Sequence, residues 1–102
     1  MNISAYELKQ LCDNSEPILI IDVREELEFH TFNIGGVNIP LGILIRTIEE
    51  LNYDKRQQII VVCQRGLRSE TARRVLTDNG FLNVKNLHGG LLAWRKVNQN
   101  LV

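Results

Sequence analysis

Two short, unbroken apolar runs constrain the fold of this chain more than any other feature. They are "ILIID" (18–22) and "QIIVVC" (58–63). A strand with one face in water alternates apolar and polar residues, so a continuous run predicts a strand buried on both faces. Such strands form parallel sheets that helices cover on both sides. The runs therefore predict an α/β fold of three layers, α/β/α, with a mainly parallel central sheet.

The segment before the first run has the signals of a helix. Ser4 and Glu7 match a Ser-x-x-Glu capping box, and Leu8, Leu11 and Cys12 then fall on one helical face. This spacing predicts a buried, unreactive Cys12.

The rest of the chain alternates further helices and strands. Apolar residues recur at helical spacing over 41–51 and predict an amphipathic helix that ends near "NYD" (52–54). "SETARRVLTDNG" (69–80) predicts a helix that begins near Ser69 and stops at Gly80. The other predicted elements are short strands in "GGVNIP" (35–40) and "NVKNL" (83–87), a loop or short helix in "DVREELEF" (22–29), and a last helix in "LLAWRKV" (91–97).

Length and composition fit one globular domain over 1–102. No apolar stretch approaches the ~20 residues that span a bilayer, and the first ten residues lack the pattern of a signal peptide. We therefore expect a cytoplasmic protein without membrane contact. Two cysteines and two histidines, scattered singly, predict neither a disulfide framework nor a metal site, and no cofactor is expected.

Charge is distributed unevenly although the net charge is zero. Residues 1–54 carry ten acids and three bases, whereas residues 55–102 carry two acids and nine bases, so the halves are −7 and +7. A chain without net excess gives little support to nucleic-acid binding. A local positive field in the second half would attract a small anion.

The stretch "VVCQRGLRSE" (61–70) ends the second apolar run with Cys63. In parallel sheets, ligands bind beyond the carboxyl ends of the strands. If the following loop curls into a cradle, the amides of residues 64–69 point toward one centre, and Gly66 permits the backbone conformation that this requires. The start of a helix near Ser69 adds its positive end.

Arg65 and Arg68 add two permanent cations to this cradle. Amides, a helix N-terminus and neighbouring cations all favour thiolate over thiol, so the loop predicts that Cys63 is a nucleophile. The competing interpretation is a buried cysteine that only terminates a strand. The coincidence of the glycine, the hydroxyl and both arginines within seven residues favours the nucleophile.

Four motifs, in order, resemble the rhodanese-like domain family over nearly the whole chain. They are "IDVREELEF" (21–29), "GGVNIPL" (35–41), "CQRGLRS" (63–69) and "GFLNVKNLHGGLLAW" (80–94). Segment 32–37 departs from the family pattern, because it lacks the usual histidine and first proline. The cysteine loop is unaffected by that departure.

The resemblance implies a sulfurtransferase that takes sulfane sulfur from an anionic donor such as thiosulfate and passes it to a thiol or other thiophilic acceptor, which can be a protein. Cys63 would carry the sulfur as a persulfide. Arg68 would hold the anionic donor, and Arg65 would suit the sulfite leaving group. Asp22 and Arg24 would organise the loop after the first strand. The residues expected to form the binding loop, chiefly through their backbone, are Gln64, Gly66, Leu67 and Ser69.

Two other functions compete with sulfur transfer. Related phosphatases and arsenate reductases use a similar loop but place five residues between cysteine and arginine, whereas four lie between Cys63 and Arg68 here. The shorter ring should enclose a smaller anion centre. A non-catalytic binding or regulatory module is the other alternative, and the intact cysteine argues against it.

Overall fold

A computed structural model describes residues 1–99, in which five strands form one parallel sheet between two layers of helices. The strands are β1 (Asn2–Ile3), β2 (Ile18–Asp22), β3 (Val37–Asn38), β4 (Gln58–Val62) and β5 (Val84–Leu87). The helices are α1 (Ala5–Asp13), α2 (Glu26–Thr31), α3 (Leu41–Arg46), α4 (Leu67–Asp78) and α5 (Gly90–Gln99). The order across the sheet is β1-β5-β4-β2-β3, and every pairing is parallel. The predicted parallel sheet is confirmed.

The two apolar runs form neighbouring central strands, with Ile20 of β2 paired to Ile60 of β4. Since successive side chains of a strand point to opposite faces, each run supplies both faces of the sheet. Ile21 and Val61 pack with the α3 and α4 side, whereas Ile20 and Ile60 pack with the α1 and α5 side. Continuous apolar sequence is therefore required, and the predicted three-layer arrangement is confirmed.

Strand β4 lies between β5 and β2, in the middle of the sheet. Cys63 follows its last residue, Val62, and α4 begins only four residues later, at Leu67. The cysteine loop is thus held between a central strand and the start of a 12-residue helix.

The predicted helix over 41–51 is wrong in its second half. Helix α3 ends at Arg46, and a short 3-10 turn, Ile48–Glu50, follows. Thr47 between them has φ −110° and ψ 15°, and its hydroxyl donates to the carbonyl of Ile43 at 2.7 Å. The Thr47 amide donates to the same carbonyl at 2.9 Å, and a threonine hydroxyl that bonds four residues back weakens or bends a helix.

The prediction that Cys12 is buried is also wrong. Helix α1 has the predicted capping box, since the Glu7 amide donates to the Ser4 hydroxyl and the Ser4 amide donates to the Glu7 carboxylate. Leu8 is fully buried, but Cys12 is exposed one turn later. Helix α1 ends at Asp13. Cys12 therefore lies in the last turn, where its spacing from Leu8 is that of a buried face but no other element within residues 1–99 covers it.

Helix α4 begins two residues before the predicted position and ends at Asp78, before Gly80. It is the longest helix among residues 1–99, and no helix in that range is long and apolar enough to cross a membrane. Strand β1 was not predicted. Its two residues pair with Asn86 and Leu87 at the edge of the sheet.

Candidate active site

Cys63 is both a core residue and a cleft residue. It is only 1% exposed and packs in the α3 and α4 side of the core. It also lines a cleft of about 260 Å³, whose other lining residues are Glu28, Gln64, Arg65, Leu67 and Arg68. The sequence alternatives, strand-end cysteine and reactive thiol, are therefore compatible.

Three hydrogen-bonding groups converge on the Cys63 sulfur. The Gly66 amide donates to Sγ at 3.1 Å, the Ser69 amide donates to it at 3.3 Å, and the Ser69 hydroxyl lies 3.2 Å away. Gly66 makes this turn possible, because its φ of +91° is in the left-handed region that other residues adopt at a cost. Helix α4 starts immediately after it, so the positive end of the helix faces the sulfur.

These donors favour the ionised form of the sulfur. Burial alone would raise the pKa of the Cys63 thiol, but hydrogen bonds from the Ser69 hydroxyl and from the amides of Ser69, Gly66 and Arg65 outweigh it, and the pKa is lowered. Thiolate is the nucleophilic form of cysteine. The site is thus built to hold a sulfur anion.

Asn86 of β5 supports this arrangement and was not identified from the sequence. The single proton of the Ser69 hydroxyl can be donated either to Oδ1 of Asn86 or to the Cys63 sulfur, and Nδ2 of Asn86 donates to the Gly66 carbonyl at 3.0 Å. All three residues are buried. One amide side chain therefore orients both the hydroxyl and the glycine that face Cys63. A polar residue within the short strand "VKNL" was the available signal.

The start of helix α5 holds the other side of the loop. The Leu91 amide donates to the Cys63 carbonyl at 2.9 Å, and the Leu92 amide donates to the Gln64 carbonyl at 3.2 Å. Turning these carbonyls toward α5 leaves the following amides free to face the cleft. Gly90 permits the approach, because a side chain there would collide with the loop backbone.

The two loop arginines have different environments. Arg68 makes a bidentate ion pair with Glu28 of α2, with Nη1 to Oε1 at 2.8 Å and Nη2 to Oε2 at 3.1 Å. The Arg68 hydrogen bond, opposed in part by desolvation, lowers the pKa of Glu28 to about 2. Arg65 is exposed and has no ion pair with any residue in the described part of the chain. Sequence reasoning missed the partner of Arg68, because Glu28 lies 40 residues away.

Asp22 and Arg24 form a buried ion pair at the end of β2. Asp22 is fully buried and Arg24 is 3% exposed, and the closest N–O distance is 2.8 Å. Arg24 also donates to the carbonyls of Glu28 and Phe32. The arginine thus anchors helix α2, which in turn positions the carboxylate that binds Arg68. The organising role of this pair stays a prediction.

The other predicted residues lie around the cleft or away from it. Gln64 is half-buried in the cleft wall, and Leu67 is 76% exposed at its rim. Trp94 is partly buried and packs on the α1 and α5 side of the core. Among residues 1–99, no group of three or more His, Cys, Asp or Glu side chains is placed to hold a metal ion.

The sequence matches one family model over most of its length. The model of the rhodanese-like domain matches residues 4–97. Putative sulfurtransferase YtwF of Bacillus subtilis (strain 168) is 34% identical over 93 residues, which cover 90% of this chain and 87% of YtwF. Putative sulfur carrier protein YrkF of the same organism is 39% identical and covers 90% of this chain. Adenylyltransferase and sulfurtransferase MOCS3-2 of Zea mays is 36% identical over a similar share. The match spans 49% of YrkF and 20% of MOCS3-2.

Solved structures share the fold. The solution structure of the rhodanese-like domain from Anabaena sp. Alr3790 superimposes with a TM-score of 0.84 at 26% identity, covering 94% of this chain and 74% of that one. The human single-domain sulfurtransferase TSTD1 superimposes with a TM-score of 0.80, covering 93% and 95% of the two chains. At 21% identity, the latter supports the fold alone.

Proposed function

Because this chain belongs to the rhodanese-like domain family, we propose that it is a sulfurtransferase whose Cys63 carries sulfane sulfur as a persulfide. The observation that carries the proposal is the convergence of the Gly66 amide, the Ser69 amide and the Ser69 hydroxyl on the Cys63 sulfur. The family resemblance inferred from the sequence motifs is confirmed.

In the first half-reaction, the Cys63 thiolate attacks the sulfane sulfur of a small anionic donor. With thiosulfate, a new S–S bond forms to Cys63, the S–S bond of thiosulfate breaks, and its electron pair leaves with sulfite. Three negative charges enter the step and three remain, so no oxidant or proton is required. The loop amides that stabilise the thiolate would also stabilise the negative terminal sulfur of the persulfide.

In the second half-reaction, a thiophilic acceptor attacks the terminal sulfur of the persulfide. With a thiolate acceptor, the new bond joins the acceptor sulfur to the sulfane sulfur, and the bonding electron pair returns to Cys63 as thiolate. The names of YrkF and MOCS3-2 associate those relatives with sulfur carriage and sulfur transfer. We propose that the acceptors of this chain include both small thiols and the thiol of a protein.

Intact mass spectrometry tests the proposal. The protein is incubated with thiosulfate, mercaptopyruvate or glutathione persulfide, and we expect a mass gain of one sulfur that dithiothreitol reverses. Cys63→Ala should not gain the sulfur. Cys12→Ser is the matched control, because Cys12 is the other free cysteine and is exposed; this variant should gain sulfur like the wild type.

Two results would overturn the proposal. One is sulfur on Cys12 and none on Cys63. The other is phosphatase turnover that Cys63→Ser abolishes, without transferable sulfur on the protein from any donor.

A further inference from the structure

Both terminal nitrogens of the Arg68 guanidinium are hydrogen-bonded to the Glu28 carboxylate. Each nitrogen binds one oxygen of that carboxylate, at 2.8 and 3.1 Å. The two residues belong to different helices, and both line the cleft that contains Cys63. An oxyanion that needs the fork of Arg68 must therefore compete with Glu28.

Charge in the cleft follows from this pairing. Glu28 is ionised at neutral pH, and its hydrogen bond with Arg68 lowers its pKa further, to about 2. Its charge offsets that of Arg68, and the Cys63 thiolate offsets that of Arg65. The lining of the cleft thus sums to zero once the nucleophile is ionised. This leaves no excess positive charge for a dianion.

Resting on the sulfur transfer proposed above, we propose that Glu28 is a specificity-determining residue that makes the site favour organic persulfides over thiosulfate. Thiosulfate brings two negative charges into the cleft, whereas an ionised persulfide group brings one. Repulsion by the Glu28 carboxylate therefore acts more strongly on thiosulfate. Both donors undergo the same balanced step, in which the Cys63 thiolate takes the terminal sulfur and the leaving group departs as sulfite or as thiolate.

The test compares the second-order rate constants of Cys63 persulfide formation with two donors, measured by quenching with iodoacetamide and by intact mass. The donors are thiosulfate and the persulfide of 2-mercaptoethanol, whose organic part carries no charge. The ratio of the thiosulfate rate to the persulfide rate cancels any change in the nucleophile itself. For Glu28→Gln, which keeps an oxygen acceptor for Arg68 and removes the charge, we expect this ratio to rise about tenfold.

Salt provides a second readout that a purely structural role would not change. The thiosulfate rate of Glu28→Gln should fall more steeply with ionic strength than that of the wild type, because an uncompensated cation then attracts the dianion. Glu28→Ala should shift the donor ratio in the same direction, so the inference does not depend on how the introduced amide is accommodated. Glu26→Gln is the matched control, since this acid lies on the same helix with a 79% exposed side chain and does not line the cleft.

An unchanged or lower donor ratio in both Glu28 variants would overturn the inference and would indicate that the carboxylate only positions Arg68 for the donor. An equal rise in Glu26→Gln would also overturn it. If the wild type forms no persulfide with either donor, the proposed sulfur transfer fails, and the inference fails with it. A wild type that forms persulfide, with variants that keep its donor ratio, defeats the inference alone.

Discussion

Gly90 at the start of α5 lies against the carbonyl of Gln64 in the cysteine loop, so closely that a Cβ on Gly90 would be 2.4 Å from the Gln64 oxygen. The contact is between backbones, and neither can move as a flexible side chain would. The geometry of the sulfur cradle therefore depends on a residue 27 positions beyond Cys63 in sequence.

Replacing Gly90 with alanine should displace the loop. We expect Gly90→Ala to lower the free energy of unfolding by about 3 kcal/mol, because strain at φ +65° adds to the collision with Gln64. The rate of Cys63 alkylation at neutral pH should fall as well. Gly80→Ala is the control, since Gly80 has φ +92° but open space around it; it should cost about 1 kcal/mol and leave alkylation unchanged. Equal losses in the two variants would refute the role of the contact.

Removing the Ser69 hydroxyl should make Cys63 less acidic. The pKa of Cys63 is below its ordinary value, so the thiolate persists above that lowered pKa and is lost as the pH falls through it. In Ser69→Ala, the midpoint of alkylation rate against pH should move upward. The rate at neutral pH should fall roughly tenfold, because a hydrogen bond to a charged group contributes about 1.5–3 kcal/mol. Ser4→Ala removes a hydroxyl from the cap of α1 and should leave the profile unchanged. A profile of Ser69→Ala that matches the wild type would count against thiolate stabilisation by this hydroxyl.

Asn86→Asp tests the support beneath the cradle. The new carboxylate still accepts from Ser69 but no longer donates to the Gly66 carbonyl, and its charge opposes a thiolate nearby. We expect a higher midpoint for Cys63 alkylation and a loss of about 1–3 kcal/mol in the free energy of unfolding. Asn83→Asp makes the same chemical change at an exposed residue and should do neither. Similar behaviour of the two variants would show that Asn86 does not act on the sulfur.

The buried ion pair of Arg24 with Asp22 should stabilise the fold much more than the exposed ion pair of Arg74 with Glu70. Arg24→Ala leaves the fully buried carboxylate of Asp22 without its partner, which typically costs about 3–5 kcal/mol. Arg74→Ala breaks a pair with Glu70 whose arginine side chain is 71% exposed, and the loss should be below about 1 kcal/mol. Urea unfolding at neutral pH measures both. Equal losses would mean that the Asp22 carboxylate is compensated by other groups.

The sequence predicted those parts of the fold and of the site whose residues are neighbours along the chain. The apolar runs predicted the paired central strands, and one seven-residue stretch contains Cys63 together with Gly66 and Ser69. Sequence reasoning missed Glu28, Asn86 and Gly90, because each enters the site from a separate element through a contact that only the folded chain defines. The catalytic roles, the cytoplasmic location and the single-domain organisation stay predictions.

The errors also have local physical causes. Periodicity predicted Cys12 on the buried face of α1 with Leu8, but Cys12 is exposed, because spacing alone does not show how far the covering layer extends. Periodicity likewise continued past Thr47, where the backbone leaves the helical conformation. Both errors lie at the ends of α1 and α3, whereas the site lies at the carboxyl end of the central strand β4.

The sulfur of Cys63 is held by amides and a hydroxyl, which are neutral dipoles, whereas the rim of its cleft is closed by an ion pair. Ions in solution screen charges much more than they affect short hydrogen bonds in a buried site. The nucleophile and the entrance of the cleft therefore respond to different variables. The pH sets the fraction of Cys63 that is thiolate, and ionic strength sets how strongly the charges of Arg68 and Glu28 act on an approaching donor. A single assay buffer samples only one combination of the two.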